Sequence, residues 1–249
     1  MFMETENGLE ADAEHDAVDK DAVEAIRVKY AAHIPLGIQV TSVRKENWNE
    51  IWEKNVTPVV VEDQCLIRAE FHPVEKTYPY EIIITPKMSF GTGHHPTTYL
   101  MIQSQLTLDH RDKRVMDAGC GTAILSIMAC KRGAREVEAF DIDEWSMSNG
   151  RENVELNHCT GVRIRKGTIA DFSWDAPFDI ILANINRNIL LQEMALYAKN
   201  LAPSGRLQLS GFYVQDVPAL LAEAGRHGLS PVFQAEREQW ATLGLSKVE

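Results

Sequence analysis

Arg114-Val115-Met116-Asp117-Ala118-Gly119-Cys120-Gly121-Thr122-Ala123-Ile124-Leu125 constrains this chain more than any other stretch. An apolar run ends in a carboxylate, and two glycines follow one residue apart. Ile124, Leu125, Ile127 and Met128 then recur at helical rather than alternating spacing. The pattern predicts strand, tight turn, helix. A glycine turn at the C-terminal end of a first strand, with a helix N-terminus beneath it, lets a ligand approach the backbone closely.

Charge and the third small residue narrow the ligand. The dinucleotide fingerprint G-x-G-x-x-G/A fails, because Ile124 stands at its last position and the small residue, Ala123, falls one place early. Asp117 puts a carboxylate where a pyrophosphate is repelled, whereas S-adenosylmethionine has no phosphate and carries a sulfonium and an ammonium. A second carboxylate is expected about 20 residues on, at the end of the next strand, to hold ribose hydroxyls. Val137-Glu138-Ala139-Phe140-Asp141 supplies it, and Asp141 is the candidate ribose ligand. Asp143, two residues further, reads more simply as a helix cap.

A chain of 249 residues holds one full α/β core and a small appendage. No apolar run approaches the roughly 20 residues needed to cross a bilayer, and the acidic start is the opposite of a secretory leader, so a cytoplasmic protein is expected. The net charge of -11 is uneven: nine acids and one base precede residue 25, and the remainder is nearly neutral. That body offers no basic footprint for nucleic acid. The acidic end reads either as an arm that attracts a basic protein or as a solvated, disordered terminus. Cys65, Cys120, Cys130 and Cys159 form no C-x-x-C pair and read as reduced thiols.

Along the chain, a helix at 21–32 and an alternating strand at 38–43 suggest a partial α+β unit over residues 1–45. Residues 46–75 read as a linker: a helix at 47–54 carrying Trp48 and Trp52 on one face, then short strands at 56–61 and 66–71. A catalytic domain is expected over 76–249, opening with a strand at 80–86. Phe90-Gly91-Thr92-Gly93-His94-His95-Pro96-Thr97-Thr98 then predicts a tight loop over the ligand, with Thr97 or Thr98 capping a helix or donating a hydroxyl. No metal site is expected from the paired histidines, since loop neighbours seldom face one ion; His95 reads as packed or hydrogen-bonded.

A polar helix at 146–157, a strand at 162–166 and an adenine-side turn at 167–171 follow. The near-continuous apolar run Phe178-Asp179-Ile180-Ile181-Leu182-Ala183-Asn184 predicts a buried parallel strand with a polar tip facing the reacting centre. Helices at 189–201 and 217–224 flank a strand at 205–210, and two short strands at 232–233 and 240–243 suggest an antiparallel end. Strands alternating with helices predict an α/β fold with a doubly wound, mostly parallel sheet.

The residues resemble the class I methyltransferases and, within them, the ribosomal protein L11 methyltransferases. Phe90-Gly91-Thr92-Gly93, His95-Pro96-Thr97-Thr98, Asp117-x-Gly119-Cys120-Gly121, Asp141-Ile142-Asp143 and Ala183-Asn184-Ile185 carry the likeness, which runs from about Asn47 to the end. The resemblance implies a Rossmann-like fold and S-adenosyl-L-methionine as cofactor, bound by Thr98, Gly119, Gly121, Asp141 and Asn184. Asn184 is also the implied catalytic group. The implied reaction is methylation of amino groups on ribosomal protein L11, lysine side chains above all, by a monomeric enzyme that binds no nucleic acid directly. The family usually has Thr at the position of His94 and Ser-Gly at Thr122-Ala123. It also carries a complete N-terminal recognition domain, within which this chain is expected to begin. Competing readings are a small-molecule or nucleic-acid methyltransferase and an inactive cofactor-binding protein on the same scaffold. Asn184 is followed by Ile185-Asn186-Arg187 rather than Pro-Pro-aromatic, which argues against a flipped base as substrate.

Overall fold

The computed structural model describes residues 2–5, 8–11, 20–30, 57–85, 87 and 89–247. The strand expected at 38–43 and the helix expected at 47–54 lie outside the described residues. The chain divides into two compact units, Met1–Ile51 and Trp52–Glu249.

In the first unit, β1 (Phe2–Thr5) pairs antiparallel with β2 (Gly8–Ala11), Thr5 opposite Gly8. Residues 2–5 and 8–11 of the acidic start therefore form a hairpin. Helix α1 (Lys20–Tyr30) carries Asp21 in its first turn and Arg27 and Lys29 in its last, the charge order that complements the helix dipole.

In the second unit, β3 (Val59–Val61), β4 (Cys65–Arg68) and β5 (Tyr80–Ile83) form a three-stranded sheet, with β3 antiparallel and β5 parallel to β4. Two strands from residues 46–75 thus share a sheet with the strand at the start of 76–249, β4 pairing with it directly. Next come α2 (Pro96–Leu106), β6 (Arg114–Ala118), α3 (Ile124–Lys131), β7 (Glu136–Asp141), α4 (Glu144–Leu156), β8 (Val162–Lys166) and β9 (Phe178–Asn184). The chain closes with α5 (Arg187–Asn200), β10 (Leu201–Tyr213), α6 (Val217–Arg226), β11 (Leu229–Arg237) and β12 (Trp240–Lys247).

The main sheet runs β11-β12-β10-β9-β6-β7-β8. The five strands from β10 to β8 are mutually parallel, and β12 and β11 add the antiparallel end. Strand order reverses at β6, whose neighbours β7 and β9 lead away in opposite directions, and open α/β sheets hold ligands at such a point, beyond the carboxyl ends of the strands. Successive residues of a strand face opposite sides, which divides the apolar runs between two cores. Val115, Ile180 and Leu182 join the residues of α2 and α3, whereas Met116, Ile181 and Ala183 join those of α5 and α6. Burial on both faces is why these strands read as continuous rather than alternating apolar runs.

Candidate functional site

Phe90-Gly91-Thr92-Gly93, the turn after β6, and the tips of β7 and β9 build the crevice at the switch point. Gly119, Gly121 and Ala123 all have left-handed φ, at 68°, 52° and 62°. The Gly119 and Cys120 amides both donate to the Phe140 carbonyl, at 2.9 and 3.0 Å, which folds the turn back over the end of β7. Glycine is required twice over. A Cβ on Gly119 meets Ile185 Cγ2 at 2.4 Å, and one on Gly121 meets the Phe90 carbonyl oxygen at 2.4 Å.

That second approach fastens the Phe90 loop onto the turn. Thr122 N–H donates to the Phe90 carbonyl at 3.0 Å, and Thr122 Oγ1 donates to the Gly91 carbonyl at 2.6 Å. Beyond the loop, His95 caps α2: its Nδ1 accepts the Thr97 N–H at 3.3 Å and lies 2.8 Å from Thr97 Oγ1. Burial lowers the His95 pKa, which keeps the ring neutral and able to accept. His94 turns elsewhere, to the Thr57 carbonyl and Thr92 Oγ1, so the adjacent histidines have separate partners. Among the described residues, no group of three His, Cys, Asp or Glu side chains is placed to hold a metal.

The structure places the other sequence-derived candidates as follows. Asp141, at the tip of β7, accepts the Gly121 N–H on Oδ2 and the Asp143 N–H on Oδ1, both at 2.9 Å. Each oxygen keeps acceptor capacity, so the carboxylate clamps the glycine turn and still presents charge to the crevice. Asp143 caps α4 by accepting from Ser146 N and Oγ at 2.9 Å, the simpler of its two readings. Thr98 is fully buried in the first turn of α2, and its Oγ1 has no hydrogen-bond partner among the described residues. Asn184 ends β9 beside Ser210 of β10, and its Oδ1 is likewise buried without a partner. Buried polar atoms are paired in the great majority of native sites, and each exception costs about 1–3 kcal/mol.

Asp117 departs from expectation. Its side chain turns onto the face of the sheet covered by α3, where Oδ2 accepts from Ser126 N at 3.0 Å and Ser126 Oγ at 2.6 Å. It is fully buried, and burial pushes its pKa up to about 7 against the lowering effect of the Ser126 bonds. The charge presented to the crevice is therefore that of Asp141, not Asp117. Cys120 fills the turn as a buried thiol, raised well above the ordinary range by burial.

Sequence reasoning missed an aromatic group beside this crevice. The Phe90 and His95 rings lie 5.1 Å apart, His95 and Trp240 4.7 Å, and Tyr213 and Trp240 4.1 Å. Tyr213 and Trp240 face each other in the β10–β12 register, and only the pairing of two strands distant in sequence brings them to the loop. On the other flank of the site, Ile142 and Trp145 are 70% and 82% exposed.

Comparison with known proteins agrees with this geometry. Residues 4–248 match the family model described as Ribosomal protein L11 methyltransferase (PrmA), so the likeness reaches well before Asn47. A Ribosomal protein L11 methyltransferase of Bacteroides thetaiotaomicron is 41% identical, over 97% of this chain and 87% of its own length. One from Porphyromonas gingivalis is 50% identical over 79% of this chain and 68% of its own length. A crystal structure of ribosomal protein L11 methylase from Lactobacillus delbrueckii subsp. bulgaricus superposes with a TM-score of 0.71 at 26% identity, covering 78% of this chain and 99% of that one. A methyltransferase from Pyrococcus furiosus, 18% identical with a TM-score of 0.58 over 68% of this chain and 90% of its own, shares the fold. With its Rossmann-like sheet, glycine turn and Phe-Gly-Thr-Gly loop, this chain belongs to the ribosomal protein L11 methyltransferase family.

Proposed function

We propose that the chain transfers methyl groups from S-adenosyl-L-methionine to amino groups of ribosomal protein L11, chiefly lysine side chains, with the N-terminal amine as a second acceptor. The observation that carries this reading is the pair of oxygens on Thr98 and Asn184, buried without partners among the described residues at the carboxyl end of the sheet, where Asp141 supplies the charge. Such groups fit a nucleoside that is cationic and rich in hydroxyls and amines. The relatives named for L11 methylation support the choice of substrate.

In this reading Asp141 accepts the ribose hydroxyls, Gly119 and Gly121 bring bare backbone against the nucleoside, and Thr98 and Asn184 hold the methionine end. Bound S-adenosylmethionine supplies a methyl group on a sulfonium. Side-chain work is then mostly positioning, because a neutral amine must approach the methyl in line. A free lysine amine has a pKa of ~10.4, and a closed, desolvated cleft lowers it. Asn184 Oδ1 accepts one N–H of the amine, so that the lone pair points at the methyl. Transfer would form the new C–N bond as the cofactor's C–S bond breaks, the amine's surplus proton passing to water. We assign recognition to residues 1–45, a connecting segment to 46–75 and catalysis to a monomeric 76–249 in the cytoplasm. Among the described residues, no helix is long and apolar enough to cross a membrane.

Incubation with labelled S-adenosylmethionine and purified ribosomal proteins tests the proposal. Label on one small protein, L11, is the expected result. Label on RNA or a metabolite would move the substrate, and binding without transfer would make the chain a cofactor-binding protein. Asp141→Ala, which removes charged hydrogen bonds worth about 1.5–3 kcal/mol each, is expected to weaken cofactor binding at least tenfold in calorimetry.

A further inference from the structure

Helix α4 carries three asparagines at one-turn spacing, Asn149, Asn153 and Asn157, the last of them its C-cap. Asparagine is a poor helix former, and its amide is costly to bury. Yet these three are 2%, 0% and 6% exposed. Their amides read the backbone edge of the segment that leads into the Phe90 loop. Ile83 N–H donates to Asn157 Oδ1 at 2.9 Å, and Asn157 Nδ2 donates back to the Ile83 carbonyl at 2.6 Å. Two residues on, Thr85 N–H donates to Asn153 Oδ1 at 2.8 Å, and Asn149 Nδ2 donates to the Thr85 carbonyl at 3.3 Å. The even-numbered edge pairs with β4, as in the bond from Ile84 N–H to the Arg68 carbonyl at 2.9 Å. The helix thus stands where a neighbouring strand would, Asn157 serving Ile83 while Asn153 and Asn149 share Thr85.

Asn153 does one thing more. Its Nδ2 donates at 3.0 Å to the carbonyl of Thr122, the residue whose amide and hydroxyl hold Phe90 and Gly91. One buried amide therefore ties together the segment entering the loop and the glycine turn that receives it.

We propose that Asn153 is a positioning residue for cofactor binding: by bridging Thr85 N–H and the Thr122 carbonyl it presets the Phe90–Gly93 loop against the glycine turn. The affinity consequence rests on the methyltransferase reading above, whereas the loop consequence does not. Asn157 is the internal control, because it makes two hydrogen bonds to the same segment, against one from Asn153, and none to the turn or the loop.

Asn153→Leu and Asn157→Leu are compared by melting temperature, by calorimetry with S-adenosylmethionine, by steady-state kinetics on L11 and by amide exchange over residues 89–93 and 119–122. Both variants are expected to melt lower. Asn153→Leu alone should raise the dissociation constant and the KM for S-adenosylmethionine about tenfold, keep kcat at saturating cofactor, and speed exchange in the loop and turn. Asn157→Leu should hold affinity within about twofold and leave exchange there unchanged. If Asn153→Leu fails to fold, Asn153→Ala, which leaves room for water at both backbone groups, takes its place. Affinity that falls in step with melting temperature in both variants, or loop exchange unaltered in the Asn153 variant, overturns the proposal. A wild-type protein that does not bind S-adenosylmethionine overturns the cofactor reading instead, and the exchange comparison still decides the role of Asn153.

Discussion

The two ends of the parallel sheet are built from the same strands and treat polar groups in opposite ways. At the amino end, Arg114 opens β6 with a buried guanidinium. That group lies 2.6 Å from Glu136, 2.8 Å from Asp175 and 4.4 Å over the Phe178 ring, and it also donates to the Ala176 carbonyl. The Arg114 amide donates to Asp179 at 2.8 Å. At the carboxyl end, Thr98 Oγ1 and Asn184 Oδ1 are buried without partners among the described residues, and three residues of one turn have left-handed φ. Around Arg114 the polar groups hold the sheet together. The carboxyl end leaves two oxygens unpaired, at a cost in stability, which the proposed cofactor site would recover on binding.

The largest effect that sharpens this contrast is expected from Asn184→Ala. Losing a group aimed at the reacting amine should lower kcat/KM on the order of 10²–10³-fold. Stability should hold or rise by about 1 kcal/mol, since an unpaired buried oxygen disappears. Chemical denaturation beside kinetics checks both, and a variant that is equally active but less stable would make Asn184 an ordinary structural residue. The mirror experiment is Arg114→Met. Asp175 and Glu136 reach water, which softens the loss, so about 2–3 kcal/mol of stability should go while cofactor affinity stays unchanged. A fall in affinity there would mean that the two ends are coupled.

Acid should also separate the ends. His110, which precedes β6 and is held neutral by burial and by Arg132, has its pKa lowered to about 4. The unfolded chain takes up that proton first, so this contribution is complete above pH ~6.5 and is lost as pH falls toward 4. Asp117 runs the other way. With its pKa raised to about 7, the folded chain holds a proton that the unfolded chain has released, so stability declines as pH rises from about 4 to about 7. Urea titrations across pH 4–8 should show Asp117→Asn losing the decline and His110→Gln losing the acid-side drop, each on the order of a few kcal/mol at most. Unchanged pH profiles in both variants would remove the titration account.

The smallest effect is expected at Ala123, left-handed at φ 62° and fully buried. Ala123→Gly relieves backbone strain but removes a packed methyl and frees the unfolded chain, so the net change should stay within about 1 kcal/mol in a melting experiment. A larger loss would show that the methyl, which a Cβ on Gly150 would meet at 3.3 Å, is what seats α4 on the turn.

The strand-turn-helix at Arg114–Leu125, the buried strand ending at Asn184 and the acidic tip at Asp141 were all legible because each depends on local pattern. Apolar runs follow from burial on both faces, glycines from left-handed φ, and a terminal carboxylate or amide from the strand's end. The lengths of the last three strands were not. β10, β11 and β12 run 13, 9 and 8 residues, against the 6, 2 and 4 their patterns suggest. Antiparallel partners supply hydrogen bonds to polar residues such as Gln208 and Thr242, whose composition alone argues for no strand.

Sequence by itself therefore determined the α/β class and the switch-point turn with its glycines. Only the tertiary structure decided where polar side chains spend their bonds. A stretch at 146–157 reads only as a polar helix, and its asparagines prove to be buried partners for a strand edge some 70 residues earlier. Asp117 reads as a ligand-facing charge and proves to be a buried acceptor for Ser126. Trp240 and Tyr213 meet Phe90 and His95 only once the sheet closes around β12. The reason is the reach of each cause. Backbone conformation and periodic burial act within a turn or two of the chain, whereas the partner of a buried hydrogen bond is chosen by whichever distant backbone arrives beside it.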